Sequence, residues 1–208
     1  MVIESVEFQS VMKDLEGYLT SEQVEKILSN AKSKRDRTLI LFGWRTGRRI
    51  SELLEVRKFH IDFDKALVRF HILKKKKKDH YVLKPVDSEL LEVLKVYTSE
   101  MQPNDFIFPS PYIKNKALSR KQAYNIIRST AERAAVFFVG TKPMHPHVLR
   151  HSFSVHFLRH AKNKSVALRI LQSILEHSTL GQTATYLQFS QEDLRKELEN
   201  VFGNNGGN

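Results

Sequence analysis

Five consecutive lysines, Lys74 to Lys78, interrupt a part of the chain in which apolar and polar residues alternate. The segment before them reads ALVRFHIL, and the segment after them reads HYVLKPV. Alternation with a period of two is typical of β-strands that bury one face. The two segments therefore predict a β-hairpin with a basic tip, preceded by a short strand at HIDF.

Helical patterns dominate the rest of the chain. LTSEQVEKILSNA carries Thr20 and Gln23 as a capping box, and Ser119 and Gln122 form a second capping box before RKQAYNIIRSTAERAAV. The apolar segment DRTLILFGWRTG predicts a deeply buried helix that ends near Gly47. Further helices are expected at RISELLEV, DSELLEVLKVYTSEM, residues 147–160, about 165–176, a short piece around Tyr186, and QEDLRKELENVF. We therefore predict a mainly α (α+β) fold, a helical domain with one small antiparallel β-sheet of about three strands.

The formal net charge of +11 favours a polyanionic partner, and nucleic acid is the natural candidate. The chain has no cysteine, which excludes a disulfide scaffold, a cysteine-ligated zinc site and a cysteine nucleophile. The sequence has no run of 18 apolar residues, and the first twenty residues contain acids and no signal-like apolar block. We therefore expect a soluble, cytoplasmic protein.

The stretch HVLRHSFSVHFLRH contains two H-x-x-x-H pairs, a spacing that can chelate one metal ion on a helix. Val148 and Phe157 stand where a zinc protease would carry a glutamate, and an arginine inside each pair would repel a cation. We therefore predict no metal and interpret His156 and His160 as a partly exposed basic helix face.

Other residues are better suited to phosphate chemistry than His156 and His160. Arg150 offers a planar fork of donors, and His147 lies on the same helical face. His177 precedes Tyr186 by nine residues, and a tyrosine hydroxyl can attack phosphorus when cations neutralise the developing charge. In TGRRISELL, Glu52 follows Arg49 by three residues and can hold its guanidinium; an ordinary surface ion pair is the alternative.

Three segments, in this order, resemble the sequence boxes of the tyrosine recombinases, the lambda-integrase-like site-specific recombinases. The first box, T-G-x-R-x-S-E-L, is matched by Thr46, Gly47, Arg49, Ser51, Glu52 and Leu53. The second box, H-x-L-R-H-S/T-F, is matched by His147, Leu149, Arg150, His151, Ser152 and Phe153. The last box, L-G-H-S-x-x-x-x-T-x-x-Y, is matched by Leu175, His177, Ser178, Thr183 and Tyr186. The resemblance covers roughly residues 18–200.

The resemblance implies a DNA-cutting and -rejoining enzyme without metal, ATP or other cofactor. It makes Arg49 and Arg150 a clamp on the scissile phosphate, and it gives proton handling or phosphate binding to His147 and His177. Tyr186 would form a 3′-phosphotyrosyl link. A hairpin lysine would be the general acid, Lys75 by position, with Lys74, Lys76, Lys77 and Lys78 also open. The remaining lysines, Arg48 and His151 are expected to contact DNA.

The chain departs from the family pattern at several points. Glu176 replaces the usual glycine, and Arg48 stands at a usually apolar position. The family's N-terminal core-binding domain has no counterpart in the sequence. We therefore expect an arm or linker remnant at residues 1–17, the catalytic domain at 18–202 and a flexible tail at 203–208.

Two other functions fit the same features less well: relaxation of DNA by a type IB topoisomerase-like activity, and a non-catalytic DNA-binding module. The expected partner is double-stranded DNA, on which a monomer would assemble into a dimer or tetramer. The terminal helix would then dock on a neighbouring protomer, and removing residues 190–208 would spare the fold. The alternative is that this helix folds back on its own core.

Overall fold

A computed structural model describes residues 17–72, 80–161, 164–175 and 191–203. The helices in these ranges are α1 Ser21–Ser29, α2 Lys34–Thr46, α3 Ile50–Leu54, α4 Ser88–Tyr97, α5 Arg120–Arg133, α6 Pro146–His160, α7 Lys164–Leu175 and α8 Gln191–Phe202. The strands are β1 Ile61–Asp62, β2 Leu67–His71, β3 Tyr81–Pro85, β4 Phe138–Val139 and β5 Lys142–Pro143. The fold is therefore mainly helical with a small antiparallel sheet, as predicted.

The predicted hairpin is present as β2 and β3, which pair antiparallel with Arg69 opposite Leu83. The short strand β1 adds to the other edge of β2, where Ile61 pairs with Val68. The tip of the hairpin, residues 73–79, lies outside the described residues, and with it all five lysines. Within the described ranges, no helix is both long and apolar enough to cross a membrane.

Both predicted capping boxes are present. The Thr20 side chain accepts from the Gln23 amide at the start of α1, and Ser119 does the same for Gln122 at the start of α5. Helix α5 ends at Arg133, earlier than its apolar pattern suggests, because Ala135 has a positive φ of 56°. The chain then forms β4 and β5, a second small sheet that the sequence analysis did not predict.

Helix α2 supplies the centre of the core, as expected from its apolar sequence. Its residues Leu39, Ile40 and Phe42 have no exposed surface. The helix packs against α1, α4, α5 and α6, so most of the other helices are arranged around it. The amide of Leu19, just before α1, donates to the buried Ser152 hydroxyl across 2.8 Å and fixes the start of the described chain to α6.

The terminal helix α8 folds back on its own core. Leu194 and Leu198 are each 1% exposed, and the Phe202 ring stacks on Phe153 with centroids 5.5 Å apart. The Arg45 guanidinium donates to the Phe202 carbonyl across 2.8 Å and lies 4.9 Å from the centre of the Phe202 ring. The apolar face of α8 is therefore occupied within the chain, so the fold follows the alternative that the sequence left open.

Candidate active site

Gly47 turns the chain sharply between α2 and α3. It ends α2 in the left-handed conformation, with φ of 58°, and its amide donates to the Gly43 carbonyl across 3.0 Å. A Cβ at this position would lie 2.3 Å from the Phe153 ring and 2.9 Å from Leu175. Glycine is therefore required both by the backbone conformation and by the close approach of α6 and α7. The turn carries Arg48 and Arg49 to the side of α6.

Arg49 stands immediately before α3 and is held by Glu52. Its Nη1 atom donates to Glu52 Oε1 across 3.0 Å, the contact expected from their spacing. The Glu52 side chain is 2% exposed, whereas the Arg49 side chain is 42% exposed. A buried carboxylate therefore fixes one edge of a guanidinium that still reaches solvent.

Arg150 lies on α6 and approaches the same turn. Its Nη1 atom donates to the Gly47 carbonyl across 2.7 Å, and its Nη2 atom donates to the Leu175 carbonyl across 3.4 Å. Burial, followed by the charge of Arg49, lowers the pKa of Arg150 to about 10. The side chain thus stays protonated at neutral pH, but its charge is costly there unless an anion is near.

Arg48 is the innermost of the three arginines and is only 3% exposed. Its Nη2 atom donates to the Ile174 carbonyl across 2.8 Å, and its Nη1 atom lies 3.6 Å from Glu52 Oε2. The guanidinium also lies 4.9 Å from the centre of the Phe70 ring. This burial does not suit the DNA contact predicted for Arg48, because its donors face the protein interior.

Three guanidinium groups therefore surround one carboxylate. Arg48 and Arg49 both contact Glu52, and the pKa of Arg150 responds to the charges of both arginines and of Glu52. The cluster formed by these four side chains, called the arginine cluster below, carries a formal excess of two positive charges. An anion with several oxygen atoms, such as a phosphate diester, is the ligand that such forked donors bind best.

A histidine-lined cavity adjoins the start of α6. It measures about 310 Å³, and its lining includes His145, His147, His151 and Lys142. His145 caps α6, since its ring nitrogen Nδ1 accepts from the His147 amide across 3.2 Å. Burial, with the neighbouring charges of His147 and Lys142, lowers the pKa of His145. His147 itself is exposed, so its ring is accessible to a ligand in this cavity.

His145 was not among the predicted site residues, although a histidine directly before the first proline of a helix occupies the capping position.

His156 was predicted to lie on a partly exposed helix face, and this prediction is wrong. His156 is 9% exposed because Trp44 and Phe202 cover it, with ring centroids 5.1 and 5.0 Å away. Burial, followed by the charge of His160, lowers the pKa of His156 to about 4. His160 is exposed, as expected.

Two further groups of predicted site residues lie outside the described residues: the hairpin lysines Lys74, Lys75, Lys76, Lys77 and Lys78, and the pair His177 and Tyr186. His177 follows the last residue of α7, Leu175, by two positions. Among the described residues, no group of three or more histidines and carboxylates is placed to hold a metal ion. The structure therefore brings Arg49 and Arg150 from the predicted set to the same turn, with Arg48 behind them, and places His147 and His151 at the cavity beside the start of α6.

Several known proteins are similar to this chain in sequence or in fold. The tyrosine recombinase XerA of Thermococcus onnurineus is 34% identical over 195 residues, which are 91% of this chain and 64% of the relative. The fold is similar to that of the integrase of mycobacterium phage Brujita, with a TM-score of 0.68 and 21% identity over 88% of this chain and 57% of the other. It is also similar to a lambda integrase dimer bound to a COC′ core site, with a TM-score of 0.61 and 17% identity over 84% of this chain and 62% of the other.

The chain thus spans 64% of the length of XerA, so these likenesses concern one part of the longer relatives. The phage integrase family model matches residues 17–193, a range that contains the arginine cluster, the histidine-lined cavity and all three sequence boxes. The chain therefore belongs to the phage integrase family.

Proposed function

We propose that this chain is the catalytic domain of a site-specific DNA recombinase or integrase, which cuts and rejoins double-stranded DNA through a 3′-phosphotyrosyl intermediate. The observation that carries the proposal is that two arginines meet at one turn: Arg49 is held there by the buried Glu52, and Arg150 donates to the Gly47 carbonyl. Family membership and the DNA-bound lambda integrase among its structural neighbours support DNA as the partner. A DNA substrate also implies that the protein works in the cytoplasm.

The arginine cluster would bind the non-bridging oxygens of the scissile phosphate. Arg49 donates to Glu52, and Arg150 donates to the Gly47 and Leu175 carbonyls, so both guanidinium groups are oriented before DNA arrives. Donors that are fixed in this way stabilise the charge of the transition state without reorganisation. His147 at the start of α6, next to the cavity, would share this binding or handle protons.

The bond changes follow from the residues that the resemblance assigns. The Tyr186 hydroxyl oxygen would attack phosphorus and give its proton to His147 or to water, and the bond from phosphorus to the 5′ oxygen would break. The leaving 5′ oxygen would take a proton from a hairpin lysine, Lys75 or one of its neighbours, while His177 would bind the phosphate. Rejoining is the reverse reaction, and it needs no ATP because the tyrosyl ester retains the phosphodiester energy.

Recombination joins two sites and therefore requires more than one protomer. We propose that a monomer, comprising an arm at residues 1–17, the domain 18–202 and a tail 203–208, assembles into a dimer or tetramer on DNA. Coupling through α8 would require this helix to leave its own core, since Leu194 and Leu198 are buried there. The same apolar face would then pack on a neighbour.

A cross-link can test this exchange because the native chain has no cysteine. The Ser88 amide and hydroxyl contact the Glu199 carboxylate at 2.8 and 3.0 Å, so a glutamate side chain spans the gap between the two positions. In the variant Ser88→Cys with Glu199→Cys, a short thiol-reactive cross-linker that a reducing agent removes should therefore lock α8 onto its own chain. If exchange is required, the cross-linked variant binds single sites but does not form the assembled complex, and reduction restores assembly. Normal assembly of the cross-linked variant would show that α8 stays on its own chain.

The test of the activity is a suicide duplex, whose nick prevents religation. The wild-type chain should form a protein–DNA adduct that resists detergent, with or without EDTA. Tyr186→Phe should bind the same DNA and form no adduct, because only the nucleophilic oxygen is removed. Binding without an adduct by the wild-type chain would indicate a non-catalytic module. Relaxation of a single plasmid without joining of two sites would indicate topoisomerase-like activity.

A further inference from the structure

We propose that Lys84, together with Arg48, acts as a positioning residue for the proposed DNA cleavage by binding the carbonyl end of α7. The inference rests on the proposed function, because the residues assigned to phosphate binding and nucleophilic attack, His177 and Tyr186, lie two and eleven positions after the last residue of α7. Lys84 lies outside the sequence boxes that carry the resemblance, and Arg48 occupies the variable position of the first box.

Cationic side chains reach the last three carbonyls of α7 from three separate elements. Lys84 on β3 donates from Nζ to the Ser173 carbonyl across 2.7 Å. Arg48, in the turn between α2 and α3, donates to the Ile174 carbonyl across 2.8 Å. Arg150 on α6 donates to the Leu175 carbonyl across 3.4 Å. Three consecutive carbonyls at the end of α7 are therefore hydrogen-bonded to the sheet, to the arginine cluster and to α6.

This arrangement has a clear electrostatic basis. The last four carbonyls of an α-helix lack partners within the helix and form the negative end of its dipole. Lysine and arginine are the favoured partners there, and hydrogen bonds from charged donors are stronger than neutral ones. Lys84 and Arg48 are 9% and 3% exposed, so solvent screens these contacts little. These hydrogen bonds therefore restrict the end of α7 more than water restricts the end of a solvent-exposed helix.

The contacts also link the helix end to the proposed phosphate site. Arg150 binds the Gly47 carbonyl and the Leu175 carbonyl with the same guanidinium. Arg48 contacts Glu52, the carboxylate that also orients Arg49. The position from which the chain continues to His177 is therefore fixed relative to the groups that would bind phosphate. Lys84 connects the end of α7 to β3, the strand that follows the lysine-rich tip.

The test compares Lys84→Met and Arg48→Met, which keep much of the side-chain volume and remove the charge, with Lys84→Arg, which keeps a cationic donor. The matched control is Lys58→Met, because Lys58 is also part-buried and donates from Nζ to a carbonyl, that of Met101, across 2.7 Å. Each variant is measured for DNA affinity, for the rate of adduct formation at saturating suicide duplex, and for amide hydrogen exchange over residues 170–178.

We expect Lys84→Met and Arg48→Met to lower the rate of adduct formation at least ten-fold, with DNA affinity changed less than about three-fold. Exchange at the end of α7 should rise while exchange in α2 stays slow. Lys84→Arg should restore most of the rate, and Lys58→Met should resemble wild type. A merely structural role would instead raise exchange throughout the domain and lower affinity and rate together.

The inference is overturned if Lys84→Met leaves both adduct rate and exchange of α7 at wild-type values, or if Lys58→Met lowers the rate equally. It is also overturned if exchange rises at the end of α7 while the rate of adduct formation stays unchanged. Failure of the proposed function is distinguishable, since the wild-type chain would then form no adduct on any duplex. In that case hydrogen exchange still decides whether Lys84 and Arg48 hold the end of α7.

Discussion

The Arg150 guanidinium donates to the Gly47 carbonyl across 2.7 Å, and this bond connects the proposed phosphate site to a left-handed backbone residue. The positive φ of Gly47 turns the chain out of α2 beside α6, where its carbonyl meets the arginine. Gly47 has no side chain to take part in chemistry, yet its carbonyl orients one of the donors proposed to bind the phosphate.

Gly47→Ala should lower the free energy of unfolding by roughly 2–4 kcal/mol, since alanine is strained at positive φ and its Cβ would overlap the Phe153 ring. Urea unfolding measures the change. Gly43→Ala is the control, because its Cβ would meet the Leu149 side chain at 3.1 Å without backbone strain. Equal losses in the two variants would contradict the role assigned to the turn.

Arg150→Lys should slow adduct formation on a suicide duplex by about 100-fold or more, because a single ammonium cannot replace a fixed fork of donors. DNA affinity should fall much less, as measured by gel shift. Arg35→Lys, at an ion pair with Asp36, serves as the control and should leave the rate unchanged. An adduct rate in Arg150→Lys close to wild type would remove Arg150 from the proposed mechanism.

Acid should destabilise the chain through His156. Burial lowers the pKa of His156 to about 4 in the folded chain, whereas an unfolded histidine has a pKa near 6.5. Between these two pH values the unfolded chain binds a proton that the folded chain does not bind. Stability should therefore fall as the pH drops from about 6.5 to about 4, by roughly 1–3 kcal/mol for this residue. The positive groups that oppose its protonation in the folded chain are His160 and Arg45.

Urea unfolding at pH 7 and pH 4.5 gives this acid-dependent loss directly. His156→Gln should show a smaller difference between the two pH values than wild type, although it is less stable at pH 7. His80→Gln, at an exposed position, is the control and should keep the wild-type difference. An undiminished acid loss in His156→Gln would assign the effect to other groups.

The lysine run should govern the salt dependence of DNA binding. Replacing Lys74, Lys76, Lys77 and Lys78 by glutamine, with Lys75 retained, should reduce the slope of log affinity against log salt by up to about 3–4, since each phosphate contact contributes about 0.9. Some adduct formation should remain. Loss of all cleavage on DNA that this variant has bound would show that Lys75 is not the general acid.

Deleting residues 190–208 should destabilise the domain, contrary to what the sequence alone suggested. The deletion removes Leu194, Leu198 and Phe202 from the core and exposes Trp44 and Phe153 beneath them. Circular dichroism during thermal unfolding should show a markedly lower midpoint. Deleting only residues 204–208 is the control. Unchanged stability of the longer deletion would mean that α8 contributes little to the fold.

Features set by neighbouring residues were predictable from the sequence. The capping boxes of Thr20 and Ser119, the turn at Gly47 and the pair of Arg49 with Glu52 all depend on spacings of a few residues. The alternating strands likewise specify which residues face the core. Most of the secondary structure and the two outer arginines of the site follow from such local rules.

Features that depend on distant partners were not predictable. Lys84 resembles an ordinary strand residue until Ser173 is placed beside it, and His156 resembles a surface residue until α8 covers it. The sequence does not indicate which of the two adjacent arginines is buried. Arg48 is buried and Arg49 stays exposed because the Arg48 guanidinium binds the carbonyl end of α7. A single sequence carries no direct record of these long-range contacts.

The bond from Arg45 to the Phe202 carbonyl joins residues 157 positions apart, and this separation affects how the protein is made. A ribosome that adds 5–20 residues per second needs roughly 8–30 s to travel from one partner to the other. During that time the nascent chain lacks the helix that covers Trp44 and His156. Contacts of such high sequence separation slow folding, and the domain can complete its core only after α8 has been synthesised. If the proposed DNA-cutting site depends on this core, chains that still lack α8 would not break DNA.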